Sequence, residues 1–225
     1  MLRHCQELLH SSFEEGSDSE TANLPLDFFK ELFVVSATHA DSYSVHPRGK
    51  SFAIPWHAGK DEVMHEVELA VILNDKPTSA HWLDRIGAYC MILDMGHGPT
   101  LKNSIGSKQP WFVGKSMDSF LVLGDLIPKE AIKDPHNVDL ELRINGELRQ
   151  SDNTGSMIFK IGQQISYIEN EGGVELGEGD MLLTGTPEGI LPVNVGDLLE
   201  ATLSSQGKLL SSMRHKICQE HSPTI

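Results

Sequence analysis

The sequence predicts a sheet-dominated α+β domain, and three observations carry that expectation. Apolar, β-branched residues fall in short runs bounded by turn signals, at residues 65–73, 87–95 and 181–184, too short for long helices. Residues 138–144 alternate apolar and polar side chains and run into Asn145-Gly146, the strongest short signal for a two-residue hairpin. Helical spacing is sustained over one longer stretch, residues 156–170, where Ile158, Ile161, Ile165 and Ile168 recur on one face. A chain of 225 residues without internal repeat or interdomain linker fits one domain with a sizeable core.

Composition narrows the function classes. A net charge of −14 leaves nothing to neutralise a run of phosphates, which argues against nucleic acid as partner. No apolar run approaches the ~20 residues of a membrane span. Cys5, Cys90 and Cys218 are scattered without disulfide or zinc spacing, and no apolar signal core follows Met1. The expected compartment is reducing, cytoplasmic or mitochondrial, and not secretory.

In chain order, residues 1–24 open with a helical pattern (Leu2, Cys5, Leu8, Leu9) and turn acidic and polar, with a loop's composition. His4 and Glu7, at i and i+3, share a helix face, so the carboxylate can hold the imidazole; a solvated, charged helix end is the plainer reading. Residues 25–57 supply Phe28 and Phe29 as core candidates, then Phe33-Val34-Val35, then a Ser/His/Pro-rich connection to Phe52-Ala53-Ile54.

The run His65-Glu66-Val67-Glu68-Leu69-Ala70-Val71-Ile72-Leu73 reads as a strand. Side chains alternate along a strand, so Glu66 and Glu68 project to one side with Cα atoms about 6–7 Å apart. Two carboxylates set among Val67, Leu69 and Ile72 repel each other where solvent is poor. A hard divalent cation between them relieves that repulsion, whereas a Glu-x-Glu on a wet strand face needs no such partner.

Residues 79–86 read as a short helix with Ser79 as N-cap. Residues 87–95 form a second apolar strand, with Cys90 an inert core thiol. It closes on Asp94, an acid oddly placed for a structural role, just ahead of Gly96-His97-Gly98-Pro99. Trp111-Phe112-Val113-Gly114-Lys115-Ser116 sets another lone charge, Lys115, among apolar residues. Residues 120–123 read as a strand, 128–132 as a short helix, and 147–150 as the return arm of the Asn145-Gly146 hairpin. Gly177-Glu178-Gly179-Asp180 turns into the strand that ends in Gly185-Thr186-Pro187-Glu188-Gly189. Val195-Gly196-Asp197 introduces a last hairpin with its turn near Gln206-Gly207.

Taken together, these pieces resemble the fumarylacetoacetate hydrolase family, and within it the small acylpyruvate hydrolase and oxaloacetate decarboxylase branch. The resemblance runs from about His4 to Ile217. It is carried by His65-Glu66-Val67-Glu68-Leu69, Leu93-Asp94-Met95, Trp111 with Lys115, Asn145-Gly146-Glu147-Leu148-Arg149-Gln150, Ser156-Met157-Ile158-Phe159 and Leu183-Thr184-Gly185-Thr186-Pro187. It implies a rolled mixed β-sandwich with peripheral helices, assembled as a homodimer. A lid-like or mobile segment at 1–24 would precede a catalytic domain at 25–225.

The resemblance also implies the chemistry. Glu66, Glu68 and Asp94 would ligate Mg²⁺ (or Mn²⁺), with water and substrate completing the coordination. Lys115 would add positive charge to the bound anion, while Gly185 and Thr186 offer it a backbone N–H and a hydroxyl. His4, oriented by Glu7, would take a proton from an attacking water. The implied substrate is a small 2-oxo or 2,4-dioxo acid, and the implied reaction is C–C bond hydrolysis in an acylpyruvate. The alternatives are an oxaloacetate-type decarboxylase or oxo-acid isomerase on the same metal, or a metal-binding relative with little turnover. The family carries an Arg four positions and a Gln seven positions beyond its Asp; this chain has Gly98 and Leu101 there, and His97 or Lys102 is the candidate for the missing positive charge. The residue after Lys30 is Glu31 where the family has Pro, so Lys30 is expected to be structural or on the pocket rim. The strand that family members carry ahead of the His-x-x-Glu has no counterpart before His4, so the dyad is expected to be weakly anchored.

Overall fold

The computed structural model describes residues 52–54 and 58–219, together with the backbone of two strands at 34–36 and 45–46. Strands β1 (Val34–Ser36), β2 (Val45–His46), β3 (Phe52–Ile54), β4 (Val63–Met64), β5 (Val67–Leu73), β6 (Ile86–Asp94) and β7 (Gly96–His97) precede helix α1 (Gly98–Gly106). A 3-10 turn at Trp111–Gly114 leads to β8 (Leu121–Pro128), β9 (Asp139–Ile144), β10 (Glu147–Asn153) and helix α2 (Ile161–Asn170). β11 (Asp180–Leu183), β12 (Pro192–Val193), β13 (Leu198–Ser205) and β14 (Lys208–Gln219) complete the order.

These strands form a six-stranded sheet, β1-β11-β5-β6-β8-β2, a five-stranded sheet, β10-β9-β13-β14-β3, and a small sheet, β12-β4-β7. The β2–β8 and β3–β14 pairs are parallel and the others antiparallel, so both large sheets are mixed. The main core lies between them: Val67, Leu69 and Val71 of β5 and Met91 and Leu93 of β6 share one cluster with Leu140, Leu142 and Ile144 of β9 and Leu199, Ala201 and Leu203 of β13. Apolar faces of two sheets bury each other in this way in any sandwich. The outer face of the six-stranded sheet holds a second, smaller cluster of Ala70, Cys90, Ile92, Leu121 and Leu183. The α+β, sheet-dominated class is as the sequence predicts.

The hairpin turns follow their local chemistry. Asn145 and Gly146 both take positive φ (53° and 82°), which matches the twist of the strands they join, and Gln206-Gly207 does the same (53° and 75°). Three expectations are corrected. Residues 79–86 form no helix: Asp84 N bonds His81 O, Arg85 N bonds Trp82 O and Ile86 N bonds Leu83 O, a run of i+3 turns that delivers the chain directly into β6. Arg85 there turns inward, with both terminal guanidinium nitrogens on Glu169 of α2 (2.8 and 2.7 Å) and a further bond to Leu176 O. Helix α2 starts at Ile161 rather than 156, because residues 154–156 are spent on a 3-10 turn whose Gly155 N–H donates to Asn153 Oδ1 (2.9 Å). Ile158 therefore leaves the core stripe and is exposed, while Ile161, Ile165 and Ile168 keep to it. The third is β8, which runs to Pro128 with a register shift opposite Cys90 and Ile92, instead of ending at residue 123. The expected segment at residues 1–24 lies outside the described residues.

Candidate metal centre

Alternation along β5 and β6 brings three acids to one end of the outer sheet face. Val67 pairs with Leu93 and Glu68 with Ile92, and Asp94 N donates to Glu66 O at 2.8 Å, so the strand ends carrying Glu66 and Asp94 are tied by their own backbone. Glu66 itself sits one residue ahead of β5 rather than inside it. Each of Glu66, Glu68 and Asp94 offers a carboxylate oxygen within 4.8 Å of the others, and all three are buried. They continue the face that carries Ala70, Cys90 and Ile92, which is why apolar neighbours surround them.

Lys115 reaches this cluster from the end of the Trp111–Gly114 turn. Its Nζ donates to Glu66 Oε1 at 2.8 Å and to Asp94 Oδ2 at 3.0 Å, with Asp94 O at 3.4 Å. Trp111, buried in the main core, anchors that turn. Two glycines let the lysine in. A Cβ on Gly96 would lie 3.0 Å from Leu101 Cδ1 and 3.3 Å from Lys115 Nζ; one on Gly114 would lie 2.7 Å from Leu101 Cγ. Leu101 of α1 thus fills the space between the two glycines, and the lysine stem passes beside it.

Electrostatics show what the cluster lacks. Burial pushes Glu68 up to about 8, and the charges of Asp94 and Glu66 push the same way, although the Gly185 N–H donates to its Oε2 at 2.8 Å. Burial, with Glu66 beside it, raises Asp94 to about 6 against the pull of Lys115. Burial works on Glu66 too, but positive charge beside it, the Lys115 ammonium foremost, holds that carboxyl below the usual range. Among the described residues, Lys115 is the ammonium that faces the three carboxylates, and burial raises two of them, Glu68 and Asp94, toward their protonated forms. An all-oxygen donor set of this kind is the chemistry that suits a hard divalent cation such as Mg²⁺ or Mn²⁺.

The other residues singled out in the sequence fall as follows. Gly185, with φ of 101°, turns its N–H onto Glu68 Oε2, and the Thr186 hydroxyl donates to Val67 O at 2.9 Å. Both therefore brace the acid-bearing strand. His97 faces Glu62 Oε2 through Nε2 (3.2 Å) and Thr100 Oγ1 through Nδ1 (2.7 Å). His4, Glu7 and Lys30 lie outside the described residues. Sequence reasoning named Gln150 only as the end of the Asn145–Gln150 stretch and gave it no role; it is buried and bonded to both Val67 and Thr186. Its neighbours on β10 are exposed or half-exposed, so no local pattern marks it.

The family described as fumarylacetoacetate (FAA) hydrolase C-terminal matches residues 4–214. The chain is 37% identical over 161 residues to the mitochondrial oxaloacetate tautomerase FAHD1 of Arabidopsis thaliana, covering 70% of this chain and 71% of that protein. It is 44% identical over 146 residues to the mitochondrial oxaloacetate tautomerase oaa1 of Schizosaccharomyces pombe, covering 62% of this chain and 65%, just under two thirds, of that one. Among solved structures, a fumarylacetoacetate hydrolase family protein of Yersinia pestis superimposes with a TM-score of 0.68 at 32% identity, covering 78% of each chain. The maleylpyruvate hydrolase of Sphingobium, solved with manganese(II) and pyruvate, gives 0.62 at 28% identity, over 76% of this chain and 60% of that one. With the acid cluster, the mixed sandwich and a match over nearly its whole length, the chain belongs to the fumarylacetoacetate hydrolase family.

Proposed function

We propose that this chain is a divalent-metal-dependent enzyme of small 2-oxo acids, and that its reaction is keto–enol isomerisation of a 2-oxo dicarboxylic acid of the oxaloacetate type. The observation that carries the reading is the Lys115 ammonium held 2.8 Å from Glu66 and 3.0 Å from Asp94 within a buried acid cluster. Glu66, Glu68 and Asp94 are the residues that would hold the cation. Bound there, Mg²⁺ or Mn²⁺ would supply Lewis acidity to the 2-oxo group of the substrate.

The chain's own residues supply the rest. Burial opposes the charge on Lys115, but Asp94 and Glu66 outweigh it and raise its pKa, so it stays protonated and acts as fixed positive charge rather than as a base. Two of its three N–H bonds go to the acids; the third, with only Asp94 O at 3.4 Å, is the one that can turn to an incoming carboxylate or enolate oxygen. Preorganised charge of this kind stabilises negative charge as it develops. Gly185 fixes Glu68, and Thr186 fixes the peptide between Glu66 and Glu68. Enolate chemistry of this sort needs no attacking water, and the oxaloacetate tautomerases among the relatives support it.

A second reading, C–C hydrolysis of an acylpyruvate, is favoured by the maleylpyruvate hydrolase that binds manganese and pyruvate. It requires a general base for water, for which His4 with Glu7 is the sequence candidate. Decarboxylation of the same oxo acids, a homodimeric assembly and a mitochondrial or cytoplasmic setting belong to the same family-based reading. The deciding experiment follows the decay of enol-oxaloacetate absorbance, pyruvate release from an acylpyruvate panel, and CO₂ release from oxaloacetate, each with Mg²⁺, Mn²⁺ or EDTA. Metal-dependent enol decay alone supports isomerisation. Pyruvate release from acylpyruvates establishes the hydrolase instead, CO₂ release the decarboxylase, and metal binding without turnover a non-catalytic relative.

A further inference from the structure

Strand β11 pairs with β5 through Leu183 opposite Ala70, and there the regular backbone ladder stops. Thr184 still donates twice to Leu69 O, from its N–H (3.1 Å) and its hydroxyl (2.7 Å). Beyond it the chain turns away at Gly185, and side chains take over. Thr186 Oγ1 donates to Val67 O at 2.9 Å, and Gln150 Oε1 accepts from Val67 N at 3.2 Å. Val67, the residue between Glu66 and Glu68, is thus held at both its N–H and its C=O by side chains from two other segments.

Gln150 is 1% exposed, and each of its polar atoms has two partners. Its Nε2 donates to Thr186 Oγ1 (2.8 Å) and to Pro187 O (2.9 Å), and its Oε1 faces His65 Nδ1 at 3.0 Å as well as Val67 N. Val67 N–H can only donate and Pro187 O can only accept, so a single orientation of the amide satisfies both. That orientation makes Gln150 Oε1 an acceptor for His65, which places the imidazole proton on Nδ1. The Thr186 hydroxyl, which accepts from Gln150, is left to give its own proton to Val67 O. Every donor in the chain Gln150–Thr186–Val67 has its acceptor.

We propose that Gln150 is a positioning residue for the acid cluster: with Thr186 it clamps the peptide between Glu66 and Glu68 and so sets the spacing at which the two carboxylates can share one cation. The proposal rests on the metal reading above. It acts through backbone, since Gln150 itself is bonded to neither carboxylate in this network. The second function of the clamp is to tie the Gly185 turn, whose N–H fixes Glu68, to the same strand. Partners that hold ligands in place characteristically change metal affinity by about 10–100-fold when removed.

The test measures Mn²⁺ binding by calorimetry and by electron paramagnetic resonance, beside thermal unfolding in EDTA. Gln150→Met keeps the side chain's length without its amide; Leu203→Ala, in the main core, reports loss of stability alone. Wild type should bind Mn²⁺, and Gln150→Met, folded at the measuring temperature, should bind at least ~10-fold more weakly while Leu203→Ala binds like wild type. Equal affinity in folded Gln150→Met overturns the positioning role. Should that variant not fold, Thr186→Val opens the same clamp and is read the same way. If neither clamp variant folds while Leu203→Ala does, the clamp is a stability element and the proposal fails. A wild type that binds no Mn²⁺ overturns the metal reading itself, an outcome distinct from all of these.

Discussion

Lys115 Nζ stands 2.8 Å from Glu66 Oε1, with both side chains nearly enclosed, and among the described residues it is the cation that faces the acid cluster. Removing the ammonium leaves three buried acids without it. Breaking a buried pair from one side typically costs about 3–5 kcal/mol. Lys115→Met should therefore lose about that much stability in urea titrations with EDTA, and part of it should return with Mn²⁺. Oxalate, a small dianion resembling the enolate, should bind the Mn²⁺ form about 2 kcal/mol or more weakly. Unchanged oxalate affinity by calorimetry would confine Lys115 to a structural role.

The raised acids give the metal-free protein a distinctive pH response. Asp94 moves from 3.8 to about 6 and Glu68 from 4.5 to about 8, so the folded chain holds protons that the unfolded chain releases. Stability in EDTA should fall as pH rises from about 4 to about 8, because the folded state binds more protons across that window. Saturating Mn²⁺ should reverse the slope, since ligation needs the carboxylates deprotonated. Glu68→Gln should flatten the upper part of the EDTA curve and abolish Mn²⁺ binding. Melting temperatures across the range, with and without metal, check all three statements.

Gly114 fixes how closely α1 approaches the lysine-bearing turn. A methyl there would stand 2.7 Å from Leu101 Cγ and 3.2 Å from its backbone nitrogen, so the helix itself must move. Overpacking of this kind typically costs about 1–3 kcal/mol. Gly114→Ala should lower stability by that amount and weaken oxalate binding with Lys115 intact. Adding Leu101→Ala should recover part of both, which a double-mutant cycle would read.

Arg85 and Glu169 form a buried pair remote from the acid cluster, 2.7 Å apart with Arg85 side chain 2% exposed. Arg85→Met leaves the largely enclosed Glu169 with the Leu176 N–H but without its cation, and should cost about 3 kcal/mol. Mn²⁺ affinity of the folded variant should match wild type. A shift in affinity would mean that α2 and the acids are mechanically linked.

What the sequence reveals about this site depends on how local each signal is. Glu66, Glu68 and Asp94 announce themselves because a charge inside an apolar strand is visible within a few residues, and strand alternation says which side it faces. Lys115 is legible for the same reason. Gln150 is not: its partners Val67 and Thr186 are 83 and 36 positions away, and only the pairing of β9 with β10 brings it under them. His97 illustrates the reverse difficulty. Its position near Asp94 suggests a substrate cation, while the fold supplies Glu62, 35 residues earlier, to face it. The helix expected at residues 79–86 fails because Arg85 and Trp82 are drawn inward against α2, a tertiary demand that overrides a plausible cap.

On β5 and β6, the side chains at 67, 69, 71, 89, 91 and 93 belong to the main core, whereas 68, 70, 90, 92 and 94 face the other way. Because partners such as Val67 and Leu93 both carry odd numbers, the rule is the same in the two strands up to the register shift, beyond which Ile86 enters the main core. Odd positions here fill the main core, while even positions carry the smaller apolar cluster and, at 68 and 94, acids of the cluster. A substitution at one parity can drift without disturbing the other, but deletion of Val67 itself exchanges the two sets at once. Such a chain would bury Glu68 among the core leucines and present Leu69 to the cation, so insertions and deletions within β5 should be far less tolerated than replacements there.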